Sequence, residues 1–314
     1  MKIRRTFALL IAIVMVFSLS SMAFATDSAP LTMTATINGT TYTFATDSYT
    51  YTNPSDNTSY TAYTALADFP AGTDLSSNIG VDFTYNGSAI KINGEDVTSA
   101  IATLKAQGKP YPVNFGSSVT KIEVVQTNGT AVYYASATAG NFSVSMNINY
   151  DTLGAFAATE TGSYYQRTGY TRNTYMDVVT DDQKTMADFA YGYFSGLGLT
   201  TMTETVSSGT TPVSVLADYA TLNSLSVTDS AGEQITAATT YVDEIEGVDM
   251  TYAGTYSYSG WGGASGGWMF SVQRGGETQF PGISAGYFKL MPGDVITWAY
   301  TCDLGNDLGA PMLY

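Results

Sequence analysis

Apolar and polar residues alternate along most of this chain with a period of two, the pattern of strands that bury one face. Thr34–Ile37 and Thr41–Phe44 flank Asn38-Gly39. Val81–Tyr85 and Ala89–Ile92 flank Asn86-Gly87, with Asn93-Gly94 directly after. Lys121–Val125 and Ala131–Tyr134 flank Asn128-Gly129. Asn-Gly accepts the positive φ that a two-residue hairpin requires, so these dipeptides predict an antiparallel, hairpin-based sheet over the first half. One helix interrupts it, capped by Asp96, with Val97, Ile101 and Leu104 on one face and a stop at Gly108 before Pro110. Phe142–Ile148 adds a further strand. From Asp151 to Arg172 the periodicity dissolves into Gly, Thr and Tyr, which predicts a linker.

The second half mixes periods. Thr174–Val179 reads as a strand. Asp181 or Asp182 caps a helix whose Met186, Phe189, Ala190, Tyr193 and Phe194 share a face, stopped by Gly196 and Gly198. Thr211 and Pro212 fit the N-cap and first position of another helix. Leu225–Thr228 reads as a strand and Tyr241–Gly247 as a short helical turn. Leu216-Ala217-Asp218-Tyr219, ahead of Leu225–Thr228, echoes Leu66-Ala67-Asp68-Phe69, ahead of Val81–Tyr85, and raises the question of a duplication. The densest stretch is Trp261–Thr301. It predicts a strand at Gly267–Val272, a turn at Arg274-Gly275-Gly276, and a strand pair, Tyr287–Leu290 and Val295–Tyr300, joined by Met291-Pro292-Gly293-Asp294. The resulting expectation is a β-rich α+β protein of two domains, 26–150 and 173–314, joined by a linker at 151–172.

Composition adds a location. Lys2, Arg4 and Arg5 precede an apolar run from Phe7 to Leu19 and an Ala23-Phe24-Ala25 cleavage site, a signal peptide over residues 1–25. The apolar run is short for a membrane span and no other candidate follows, so a secreted, extracellular protein with no integral span in the mature chain is expected. Cleavage removes three of 12 basic residues and leaves nine against 27 acids, a net charge of −18. That charge argues against nucleic acid as a partner. The single cysteine, Cys302, forms no internal disulfide and reads as a small apolar filler. No histidine occurs, which excludes His-dependent nucleophilic catalysis and His-ligated zinc.

Four blocks carry a resemblance. Val215-Leu216-Ala217 opens a helix, and Tyr241-Val242 is followed by Ile245-Glu246-Gly247. Gly267–Val272 comes next, and Tyr287–Tyr300 with its Met-Pro-Gly-Asp turn comes last. In order and spacing they resemble the transcobalamin-like C-terminal domain, a β-grasp-like module, over less than a third of the chain. Gln273-Arg274-Gly275-Gly276 stands where family members usually have Asn-Gly. The resemblance implies a β-grasp fold for the C-terminal domain and cobalamin as a ligand. In the animal carriers an all-helical barrel supplies the other jaw of the pocket, whereas residues 27–150 here read as strands.

Among candidate site residues, Trp261 with Gly262 and Gly263 reads as an open glycine-rich loop, the best place for a ligand-touching tryptophan. Trp268 and Tyr300 are weaker ligand candidates, since Trp268 and Trp298 on central strands fill a core equally well. Asp303 and Asp307 are weak calcium candidates, and Asp243, Glu244, Glu246 and Asp249 form a second acidic cluster with the character of a solvated face. Asp294 reads as a turn residue bonding nearby N–H groups. No pair of carboxylates is singled out for glycoside hydrolysis, so a carboxylate-based carbohydrate-active enzyme ranks third. The leading expectation is an exported, non-catalytic binding or surface-interaction protein with no cofactor, whose partner is an extracellular small molecule, glycan or protein. An extracellular corrinoid-binding protein comes second.

Overall fold

The computed structural model describes residues 29–56, 58–116, 119–165, 178–253, 255–258, 261–264 and 266–310; within 255–264 only the backbone is described. The expected signal peptide and residues 174–177 of the expected strand lie outside them. The first half contains β1 (Leu31–Ile37), β2 (Thr40–Thr43), β3 (Ala45–Asn53), β4 (Thr58–Asp68), β5 (Ile79–Tyr85), β6 (Ala89–Ile92) and β7 (Glu95–Asp96). After these come α1 (Thr98–Ala106), β8 (Tyr111–Val113), β9 (Thr120–Gln126), β10 (Gly129–Thr138) and β11 (Phe142–Asn149). The second half contains α2 (Asp151–Ala157), α3 (Asp181–Leu197), β12 (Met202–Val206), α4 (Pro212–Asn223), β13 (Val227–Thr228) and β14 (Glu244–Ile245). It ends with β15 (Thr255–Tyr258), β16 (Trp261–Ala264), β17 (Gly267–Arg274), β18 (Glu277–Pro281), β19 (Val295–Thr301) and a 3-10 turn at Asn306–Leu308.

The fold is β-rich, as expected, and holds four helices among the described residues. Most of the strands form one 11-stranded sheet, β12-β11-β19-β17-β18-β3-β4-β10-β9-β6-β7, and a four-stranded sheet, β2-β1-β5-β8, packs on its N-terminal part. The large sheet is mixed: β10 runs parallel to β4, and β11 runs parallel to β19. The expectation of a purely antiparallel first half is therefore corrected. Apolar residues divide into two clusters. One lies between the two sheets and α1, with Met33, Val81, Phe83, Ile101, Val124 and Tyr133 buried. The other holds Met146, Phe156, Phe194, Leu216, Trp298 and Tyr300, where α2, α3 and α4 cover the sheet. Residues of β11 belong to this second cluster, because the strand pairs with β12 and β19 and not with the hairpins that precede it.

Local chemistry explains which turns formed as expected. Asn38 and Gly39 take φ of 51° and 80°, and Asn93 and Gly94 take 50° and 83°, each closing a two-residue hairpin. Gly275 and Gly276 do the same between β17 and β18, at 58° and 82°. Asn86-Gly87 does not. β5 belongs to the small sheet and β6 to the large one, so this dipeptide is a crossover between sheets. A Cβ on Gly87 would lie 2.6 Å from the Val125 carbonyl oxygen, so close approach is what requires glycine there. The next hairpin turns at Thr127-Asn128, one residue earlier than the Asn-Gly pair, since Gly129 already pairs with Gln126.

Further differences lie in the second half. The expected linker begins with α2, whose Leu153 and Phe156 are buried. Tyr241–Gly247 is not helical: β13 pairs with β14, and Glu246-Gly247 forms a positive-φ turn. Residues 287–290 are irregular, and β19 pairs with β17 and β11 instead. The Leu-Ala-Asp echo is not a structural repeat, since Leu66–Asp68 lies in β4 and Leu216–Asp218 in α4. α4 is capped as expected, whereas α3 is capped by Thr180 and not by Asp181 or Asp182, which lie in its first turn. Thr180 with Gln183 and Thr211 with Ser214 form reciprocal capping boxes, and Pro212 opens α4.

The two halves meet where β18 pairs with β3, Phe280 against Thr52 and Pro281 against Tyr51. Side chains reinforce this short ladder. Tyr49 Oη donates to Gln279 Oε1 at 2.8 Å, and Tyr134 Oη donates to Glu277 Oε2 at 2.8 Å. Lys121 Nζ lies 2.7 Å from Glu277 Oε1. Beside the seam, Arg274 and Asp294 form a fully buried ion pair: Nε donates to Oδ1 at 3.0 Å and Nη2 to Oδ2 at 2.6 Å. Asp294 also accepts the Met291 N–H, as its expected turn role required, and Arg274 donates to the Lys289 carbonyl. Burial works against the charge on Arg274, but the adjacent Asp294 more than offsets it and the pKa rises.

This pair yields a stability prediction. Asp294→Ala leaves a guanidinium buried without its counter-charge and is expected to destabilise the protein by about 3–5 kcal/mol in urea unfolding. The double change Arg274→Met with Asp294→Leu is expected to recover most of that loss, because two apolar side chains carry no desolvation cost. A single variant as stable as the parent would show that water reaches the pair.

Candidate functional site

The stretch singled out by its tryptophans is built in two tiers. Trp268 lies on β17 and Tyr300 on β19, directly opposite each other and both buried, with ring centroids 5.4 Å apart. Trp268 Nε1 donates to the Val248 carbonyl and Tyr300 Oη to the Asp249 carbonyl, each at 2.8 Å. Trp298 is buried on the same sheet, beside Phe270 at 5.7 Å. These aromatics fill the core and hold the backbone that leads into the segment above it.

That segment is not the open loop expected around Trp261. Trp261–Ala264 is β16, paired antiparallel with β15: Tyr258 faces Trp261, Ser257 faces Gly262 and Tyr256 faces Gly263. Pairing register places Tyr256, Tyr258, Trp261 and Gly263 on one face of the hairpin. The side chains of Trp261 and its neighbours lie outside the described residues. At the base, Gly266 sits against Tyr300 Oη and the Ala253 and Met250 carbonyls, where a Cβ has no room. Trp268 and Tyr300 thus support the element that carries Trp261, Gly262 and Gly263.

The acidic candidates are internal. Asp303 and Asp307 are both buried, and Asp307 accepts from Thr301 Oγ1 at 2.5 Å and from the Cys302 N–H at 2.8 Å. Burial pushes the Asp307 carboxyl up, against the pull of these donors. Cys302 is buried as a filler, its thiol directed at the Thr152 carbonyl. In the second cluster Glu246 accepts from the Ser226 N–H and from Tyr193 Oη, fastening the β14 turn to α3. Among the described residues no group of three His, Cys, Asp or Glu side chains is arranged to hold a metal.

Two features escaped sequence reasoning. The first is a carboxyl pair, Glu204 on β12 and Asp218 on α4. Burial, then the adjoining Asp218, push Glu204 up to about 7, and Glu204 Oε2 is buried with no hydrogen-bond partner. The signal was present: in Met202-Thr203-Glu204-Thr205-Val206 the acid occupies the apolar face of an alternating strand.

The second is the outer face of α3. Its buried residues are Ala187, Ala190 and Phe194, whereas Met186, Phe189, Tyr193 and Leu197 form a parallel stripe facing solvent. Sequence reasoning merged the two stripes into one buried face. Small side chains decide which stripe goes inside, because α2 approaches closely: a Cβ on its Gly154 would lie 2.8 Å from the Tyr191 ring. Ala187 and Ala190 permit that approach and Phe189 does not. Phe189 is 68% exposed, which is unusual for an ordered phenylalanine.

The carboxyl pair gives a pH prediction. Its raised folded pKa means that the native state holds a proton that the unfolded chain releases near the ordinary glutamate value of 4.5. The contribution of Glu204 is therefore fully present below that value and is lost as pH rises through about 7. Thermal melts across this window should show a decline in wild type that is shallower in Glu204→Gln. Identical slopes would place the proton elsewhere. Scanned against known protein families the chain has no match, and neither the curated proteins nor the solved structures contain a significant relative.

Proposed function

We propose that this chain is an exported, non-catalytic surface-interaction protein with a transcobalamin-like C-terminal module, and that it engages a protein partner through the outer face of α3. The observation that supports the reading is the stripe at helical spacing in which Phe189 is 68% exposed and Met186, Tyr193 and Leu197 are each more than a third exposed. The helix presenting them is rigid: it is capped at Thr180, closed by Gly198 in the left-handed region and packed on α2. Such a preformed helix face binds at low ordering cost, and large apolar side chains are effective interface anchors. Asp182 and Asp188 are exposed on the same helix, in a mature chain of net charge −18. A partner with apolar anchors and basic flanks fits this face. The export part of the reading is supported by the sequence of residues 1–25 alone.

The test is a photocrosslinker in place of Phe189, followed by affinity measurement with the purified crosslinked partner. Phe189→Asp should abolish that binding and leave the melting temperature unchanged, because an exposed side chain leaves no cavity when removed. Unchanged affinity would put the contact on another surface. A loss of several kcal/mol in stability would mean that the stripe is covered in the folded chain. Colour retained by the purified protein after mixing with cobalamin and desalting would favour a corrinoid carrier instead.

A further inference from the structure

We propose that the open depression lined by Tyr241 is a binding site for a neutral sugar residue, separate from the α3 face and independent of its role. The depression holds about 280 Å3, is open to solvent, and is lined by Asp229, Ser230, Thr236, Thr239, Thr240 and Tyr241. That is near the lower end of small-ligand sites, roughly 300 Å3.

Its walls are held without helix or strand. Asp229 Oδ1 accepts from the N–H groups of Ala231 and Glu233 at 2.9 and 3.1 Å. Thr236 and Thr239 are tied to each other twice, through Thr239 Oγ1 and through the Thr236 carbonyl, each at 2.9 Å. On the far side Ser284 Oγ and the Gly286 N–H both donate to the Thr240 carbonyl. Gly286 packs so closely that a Cβ there would lie 2.6 Å from Thr240 Cα. A site fixed in this way loses little freedom when it binds.

The lining has the chemistry that a sugar requires. Asp229 uses Oδ1 on its own loop, and among the described residues its Oδ2 has no hydrogen-bond partner. The hydroxyls of Ser230, Thr240 and Tyr241 are on exposed residues and have no hydrogen-bond partner among the described residues. Paired hydroxyls of a pyranose satisfy such groups, and the bonds to the carboxylate are charge-assisted. Tyr241 is 43% exposed and offers an apolar ring with a polar tip, which suits the C–H face of a sugar. The lining contains no cation, and Asp229 with nearby Asp243 disfavours anionic ligands. Neutral sugars are therefore selected over uronic and sialic acids.

Saturation-transfer NMR on the mature chain tests the site, using glucose, galactose, mannose and N-acetylglucosamine, with glucuronate as the charged control. At least one neutral sugar should receive saturation and glucuronate should not. Tyr241→Ala and Asp229→Asn should each weaken binding by about tenfold or more, as loss of a bond to a charged group does. Asp229→Asn keeps the loop's own N–H acceptor, and Tyr241→Phe should keep both the ring contact and most of the affinity. The proposal is overturned if none of the four sugars binds, if glucuronate binds as well as they do, or if binding survives both Tyr241→Ala and Asp229→Asn.

Discussion

A guanidinium and a carboxylate excluded from water, Arg274 and Asp294, stand where the last three strands of the large sheet converge. Neither charge is tolerable alone at that depth, so the end of β17, the Met291–Asp294 turn and the start of β19 must assemble together. The guanidinium also lies 4.5 Å from the Phe288 ring and 5.5 Å from the Tyr49 ring. Tyr49 belongs to β3 in the other half of the chain, and its hydroxyl reaches Gln279 on β18. The pair therefore sets the geometry of the strand through which the two halves share one sheet. A guanidinium Nη1 and the Gln279 Nε2 remain buried without hydrogen-bond partners beside it. That residual polarity makes this region sensitive to packing.

Around this seam the surfaces divide by what they leave exposed. The helical layer on the C-terminal half hides Ala187, Ala190 and Phe194 and turns Phe189 outward. The connection between β13 and β14 frames an open polar depression with Tyr241 at its edge. The aromatic stretch that first draws the eye divides likewise. Trp268, Trp298 and Tyr300 are core, and the hairpin of β15 and β16 rises from the backbone that Trp268 and Tyr300 hold.

Much of the local structure was legible because it depends on neighbours in sequence. Asn38-Gly39, Asn93-Gly94 and Gly275-Gly276 turn as their tolerance of positive φ requires. Thr211 and Pro212 start α4 because a hydroxyl acceptor and a preset φ suit that position. Illegible positions were those decided by distant partners. Asn86-Gly87 has the composition of a hairpin yet joins two sheets, since β5 and β6 find better partners elsewhere. Leu-Ala-Asp is strand at 66–68 and helix at 216–218, because its conformation follows what covers it.

By itself, then, the sequence determined the β-rich class, the positions of most strands and helix starts, and the exclusion of histidine-based chemistry. These follow from periodicity, backbone tolerance and residue inventory. Only the tertiary structure decided that β11 crosses to β19, which of two apolar stripes on α3 is buried, and that Arg274 meets Asp294 across 20 residues. Each of these depends on which surfaces fit against one another, and a helix with apolar residues on two sides carries no mark of which side its neighbour will approach.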